Sequence, residues 1–492
     1  MLKLILSIEI EINDSSMICK LLKISAAVCI SIMLCSCARK EAEIQLSQLP
    51  EMFPDYAGVT VPSNIAPLNF MVKGAKSILL DISISSGETI SFTGKESISI
   101  PQRRWEYILQ QSQGKDIKFT VSVWNKKYPN GAKYNSFSVH VSKDKIDPWI
   151  VYRLTPPGYE GYKYMAIYER NLSSFTTLPI VENTQFHLGC VNCHSFADYH
   201  PNYFMFHARG TNGGTIIYAN GKIEKHNIKK DSVMGASYNS WHPSGKYIAF
   251  SSNITRQSFY GHSRDKIEVY DLMSDLMIYD VNTRKVYIDD RFNDSINLET
   301  FPSFSPDGRY LYFCTSKIAK LPMEYNKLHY SIVRVPFNED GSLGETFDTI
   351  YNARTEGGSA LFPRVSPDGK FMLFTWAECG AFHLYHKEAD LKMLDLTTNT
   401  QIPIDIINSN DVDSYHSWSS NGKWIVFSSK RVDSRYTRLF VTHWDGKQFT
   451  KPFIIPQENP KDDVLLLYSY NIPEFLREPV DISKDKMAKM FE

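Results

Sequence analysis

From residue 240 onward, short runs of alternating apolar and polar positions recur, each introduced by a tight turn. Four segments share the pattern: Ser240–Phe250, Ser303–Phe313, Arg364–Phe374 and Ser417–Phe427. Each has an apolar residue, a turn closed by glycine, a cation, and then an alternating strand. Asp307-Gly308, Asp368-Gly369 and Asn421-Gly422 supply the backbone freedom a hairpin turn needs. The glycines recur at roughly fifty to sixty residues, the spacing of propeller blades. Further strands lead into polar turns: Leu276–Asp280, Ile332–Val335, Leu391–Asp395 and Leu439–Val441. Four blades follow directly.

Two more blades are predicted upstream. Thr215–Tyr218 and Ile223 flank Asn220-Gly221, and Ile150–Leu154 precedes a second run at Tyr164–Tyr168. The expected fold is therefore an all-β propeller over residues 148–475, with six blades favoured over five or seven. Leu465–Tyr468 is expected to close the ring by adding a strand to the first blade, and residues 476–492 read as a polar tail. Residues 50–147 read as a separate β-sandwich-like domain. Ile78–Ile84 and Phe119–Trp124 are apolar strands, and Phe137–Val141 alternates as a half-buried strand does. Asp147-Pro148 marks the boundary, because a residue before proline resists helix.

The four turn-and-strand segments resemble the WD40-like repeat in the propeller of the TolB family. The resemblance covers about half of the chain and implies a binding scaffold in the cell envelope. TolB-family proteins also carry a smaller domain before the propeller, but the upstream domain here reads as all-β, which departs from that family.

The N-terminus changes the picture by setting a compartment. Lys20 and Lys23 precede the apolar run Ile24–Leu34, followed by Cys35-Ser36-Cys37. A positive flank, a short apolar core and small residues make a secretory signal over residues 1–36. Glu9, Glu11 and Asp14 suit such a signal poorly, which makes Met17 the more natural start. Leu34–Cys37 resembles a bacterial lipobox. The resemblance implies acylation of Cys37, a polar tether over 37–49, and anchorage to a lipid bilayer, expected to be the outer membrane.

The most specific chemistry lies at Cys190-Val191-Asn192-Cys193-His194, the C-x-x-C-H pattern at which a c-type haem is attached. Cys190 and Cys193 would form the thioethers to haem c, and His194 would be the axial iron ligand. Met205 or His207 is the expected second ligand, with His200 and His187 as further candidates, and Arg209 is placed to meet a propionate. A local disulfide between the two cysteines, or a pair of free thiols, is the alternative. A zinc site lacks a second ligand pair. The motif is expected in an irregular insertion at about 181–205, between the first two blades. His242 and His416, beside repeat turns, are weaker site candidates.

Composition mostly excludes. The 54 basic and 54 acidic residues cancel, so no basic field argues for nucleic acid. No G-x-S-x-G, H-E-x-x-H or Walker loop occurs. Two readings follow. One is an anchored haem protein that transfers electrons to a redox partner or senses a small ligand. The other is a haem-free propeller that binds an envelope protein or glycan.

Overall fold

Six times between Trp149 and Leu476 the backbone builds a four-stranded antiparallel sheet. The computed structural model describes residues 41–491 apart from 158–159, 162, 187, 211–212, 230–233 and 261–266. The leader, Cys37 and His187 lie outside the described residues. Among the described residues no helix is long and apolar enough to cross a membrane.

Each sheet is one blade, and its innermost strand neighbours those of the adjacent blades around a common axis. The inner strands of blades two to six are Cys190–Ala197, Ala236–Trp241, Asn297–Phe304, Ser359–Val365 and Asp413–Trp418. The first blade takes its inner strand from the far end of the chain. Ser469–Leu476 pairs antiparallel with Trp149–Thr155 and closes the ring. The closing strand thus lies just past the predicted Leu465–Tyr468; Asp462–Leu465 is instead a short helix.

The repeat turns explain their own sequence. In the fourth blade Ser305 Oγ donates to Asp307 Oδ1 at 2.6 Å and accepts from Tyr310 N at 3.0 Å. Ser366 with Asp368 and Ser419 with Asn421 repeat this in the next two blades. Gly308 has φ +73°, and a Cβ there would lie 2.3 Å from His242 Nε2 of the preceding blade. His242 Nε2 sits 3.1 Å from the Gly308 carbonyl, so the glycine permits a stitch between blades. The second blade joins the equivalent strands by a shorter, two-residue turn without glycine, through Asp198 and Tyr199 at φ 44° and 59°.

The N-terminal domain combines a seven-stranded and a three-stranded sheet. It also contains a helix, Gln102–Gln111, that the sequence reading missed. Trp105 on that helix is buried and donates to the Ile65 carbonyl at 3.0 Å. The domain's apolar core runs on into Trp424, Val426 and Val441 of the last blade, and into Ile150, Tyr152 and Phe475 of the first. It therefore packs on the seam where the ring closes. Asp147 accepts from both Ser420 N and Ser420 Oγ at 2.6 Å across the same seam.

Two expectations change. Residues 181–205 are not an irregular insertion, because they contain most of the two inner strands of the second blade. The final residues are not simply a polar tail: Val480, Met487 and Phe491 pack into the core shared by the first two blades. The Phe491 ring stacks on Phe186 at 4.2 Å.

Phe475 is 1% exposed on the closing strand. Phe475→Ala is expected to destabilise the protein by about 3–5 kcal/mol, the usual cost of truncating a core phenylalanine. Urea unfolding checks this, and a midpoint equal to wild type contradicts the seam's importance.

Candidate functional site

Every inner strand contains one extra residue relative to its partner. The register slips at Asn192/Ser195, Ala236/Asn239, Thr300/Ser303, Leu361/Arg364 and Ser414/His416, and again where the closing strand passes Val151/Arg153. Such a bulge re-aims a side chain. At five bulges a non-glycine residue takes positive φ: Cys193 54°, Phe301 50°, Phe362 55°, Tyr415 41° and Ile472 52°. That conformation costs on the order of 1–3 kcal/mol per residue and clusters at functional sites. Tyr238 fills the corresponding place in the third blade.

The six residues form a collar around the axis. Ring centroids are 4.2 Å apart for Tyr238–Phe301 and for Phe301–Phe362, and 4.7 Å for Phe362–Tyr415. Ile472 and Cys193 complete the circle without aromatic rings. Just past the collar, Arg364 of the fifth blade meets Glu474 of the first at 3.6 Å, reaching past the sixth blade. Burial pushes the Glu474 carboxyl up to about 7.

On the other side of the collar lies a cavity of about 1150 Å³. Cys193, Tyr238, Tyr415 and Ile472 belong to its lining and form the floor. One wall is the long hairpin of the third blade, Tyr247–Phe259 with Ile267–Asp280, which presents Thr255, Gln257, Phe259, Ile267 and Val269. A buried polar cluster holds this hairpin to the fifth blade. His386 Nε2 lies 3.1 Å from Glu268 Oε2 and 2.9 Å from the Tyr325 hydroxyl, and its Nδ1 is 3.3 Å from Glu388. Burial alone would depress His386, but the two carboxylates outweigh it and lift its pKa to about 9.

The structure separates the members of the C-x-x-C-H motif. Cys190, Asn192 and Cys193 line the cavity, as does Arg209, but His194 does not. The two cysteines are free thiols. Burial raises both thiol pKa values, while Arg153 and Arg209 oppose the rise. His194 is 2% exposed beside the backbone of Val151 and Ile472, with its ring edge-on to Phe196 at 6.3 Å. Neither ring nitrogen has a hydrogen-bond partner among the described residues, and burial drives its pKa down to about 3.

A haem held by both thiols needs an imidazole facing the same cavity, and the residues in this arrangement do not fit that requirement. The proposed second ligands fit no better. Met205 is fully buried against Ile217, Trp241 and Phe250. Both nitrogens of His207 are engaged, with Thr215 Oγ1 at 3.0 Å and the Ser237 carbonyl at 2.8 Å. Burial lowers its pKa to about 3. His200 is exposed, and His242 belongs to a turn on the opposite face. Among the described residues no group of three His, Cys, Asp or Glu side chains converges as a metal set.

The blade repeat accounts for His194. Asn192-Cys193-His194-Ser195-Phe196 occupies the place of Ser414-Tyr415-His416-Ser417-Trp418 in the sixth blade. His416 is likewise buried, with both nitrogens unpartnered and a pKa of about 3. The other blades carry Asn239, Pro302, Pro363 and Pro473 there. Aligning the repeat upstream of its glycine turn was the signal that would have found this. Sequence reasoning also missed Arg153, Lys430 and Arg435, which line the cavity from distant parts of the chain.

The fold and site define a six-bladed propeller with a collared central cavity. No protein-family model matches the chain, and no curated protein does. Among solved structures it is similar to TolB from Acinetobacter baumannii, at 14% identity and TM-score 0.42, over 76% of this chain and 85% of that one. It is also similar to an oligogalacturonate lyase from Vibrio parahaemolyticus, at 14% identity and TM-score 0.35, over 61% and 73%. A third similarity is to a nidogen/laminin complex, at 9% identity and TM-score 0.39, over 62% and 93%.

The buried imidazoles generate a pH prediction. His194 has a pKa of about 3 in the fold against an ordinary 6.5, so between these values only the unfolded chain takes up the proton. Stability therefore falls as pH drops through that window. His194→Asn, the side chain the third blade carries at this position, is expected to flatten the decline. Urea midpoints at pH 7 and pH 5 check it; an unchanged acid dependence contradicts the assignment.

Proposed function

We propose that this chain is a ligand-binding propeller module of the bacterial envelope, secreted by its leader and held to a bilayer through acylated Cys37. The observation that carries the reading is the cavity of about 1150 Å³, walled by several blades and floored by the collar. A concave, largely preformed site with a few convergent polar groups is the usual form of a ligand pocket. Positive φ at five of the six collar positions is the kind of strained backbone that clusters at ligand-binding sites. The ligand, a glycan or part of an envelope protein, enters from the hairpin side and stops at the collar.

Covalent haem attachment is the competing reading, favoured by the presence of both Cys190 and Cys193 in the cavity lining. It would require His194 to leave its buried position between the first two blades. Intact mass and pyridine haemochrome spectra, on protein made with a cytochrome-maturation system, separate the readings. The expected product is colourless, with no haem added to Cys190 or Cys193. A haem-sized increment on those two residues would overturn the ligand-binding assignment.

A further inference from the structure

Resting on that binding reading, we propose that the cavity takes an acidic oligosaccharide, a chain of sugar rings bearing carboxylate or sulfate groups. Five cationic side chains line it, Arg153, Arg209, Lys387, Lys430 and Arg435, against one acid, Asp411. The chain as a whole has 54 basic and 54 acidic residues, so this excess is local.

Arg153 is the strongest sign. It is 8% exposed, its guanidinium is held by the Asn192 side chain, and its Nε has no hydrogen-bond partner among the described residues. It forms no ion pair among those residues, whereas Arg431, Arg364 and Arg477 do. A largely buried guanidinium with no acid beside it is left without a counter-charge, and an oxyanion ligand supplies one through charge-assisted hydrogen bonds. Arg209, on the neighbouring blade, donates to Ser237 Oγ at 3.3 Å and lines the same end.

The remaining cations lie on other blades. Lys430 donates to the Leu384 carbonyl at 2.7 Å with its ammonium 5.6 Å from the Tyr385 ring centroid, and Arg435 is exposed on the following loop. Cations contributed by the first, second, fifth and sixth blades to a cavity of about 1150 Å³ suit charges carried along a chain better than one small anion. Aromatic faces lie among the same lining residues: Phe259, 59% exposed, with Tyr385 and Tyr436. Gln257 and Ser434 add groups that can pair with hydroxyls. Sugar rings use all three kinds of contact: a stacking face, amide or hydroxyl partners, and cations for their acidic substituents.

The test uses the full chain with Cys37→Ser and titration calorimetry at low salt. The probes are a uronate tetrasaccharide, a sulfated tetrasaccharide, a neutral tetrasaccharide and an acidic tetrapeptide. At least one acidic sugar is expected to bind about tenfold more tightly than the neutral one, with affinity falling as salt rises. The uronate and sulfate arms identify the acidic group. Arg435→Glu, on the exposed rim, is expected to weaken binding about threefold or more without altering the fold. Arg153→Met is expected to weaken it about tenfold, with its circular dichroism matching wild type. Equal affinity for the neutral sugar, preference for the peptide, or an unchanged Arg435→Glu would overturn the proposal. Protection of Cys190 from alkylation by the peptide, with no sugar bound, would leave the binding site standing and remove only the sugar.

Discussion

Ring closure is the constraint on which the rest of the molecule depends. A six-bladed propeller made from one chain must join its ends, and here the join is Ser469–Leu476 against Trp149–Thr155. The N-terminal domain lies over that join and shares a continuous apolar core with the first and last blades. Asp147, at the passage between domains, adds a carboxylate that captures Ser420 of the last blade. Trp424 of the same blade donates to the Asp144 carbonyl at 3.2 Å. The upstream domain is thus part of the closure and not an independent appendage. Without a closed ring the inner strands would have no common axis, and neither collar nor cavity would exist.

The collar shows how a repeated backbone irregularity becomes a site. A bulge in a single strand would merely bend it. Six bulges at equivalent positions instead direct six side chains to one centre, and tilted contacts among four aromatic rings help offset the strained dihedrals. Below the collar the Arg364–Glu474 pair ties the fifth blade to the first, past the sixth. Above it the Glu268–His386–Tyr325 cluster steadies the hairpin wall. The cavity is therefore bounded by elements that are themselves tied down, as preorganised recognition demands.

Much of the propeller was legible because Ser305, Asp307 and Gly308, and their counterparts, each perform a local task in a turn. Hydrogen bonds within a few residues leave a mark in sequence. The second blade was harder, since Asp198 and Tyr199 replace the glycine turn and its inner strand carries the cysteines. The C-x-x-C-H spacing drew attention to Cys190 and Cys193, which do line the cavity, and to Arg209, which joins them. It could not show that His194, Met205 and His207 stay out of that lining, because side-chain direction depends on a bulge and on neighbouring blades. The helix Gln102–Gln111 escaped notice because only Trp105, Ile108 and Leu109 turn inward. Arg153, Lys430 and Arg435 could not be grouped from sequence at all, since closure alone brings them together.

Cys193 has one more consequence. A ring of near-identical blades has no preferred azimuth, so an occupant could sit in several rotated poses of similar energy. Cys193 stands beside Ile472 in a circle whose other four members are aromatic, and this thin sector adjoins the Arg153–Asn192 contact. The asymmetry gives the pseudo-symmetric funnel a fixed compass point. Whatever enters meets a floor that distinguishes one bearing from the other five.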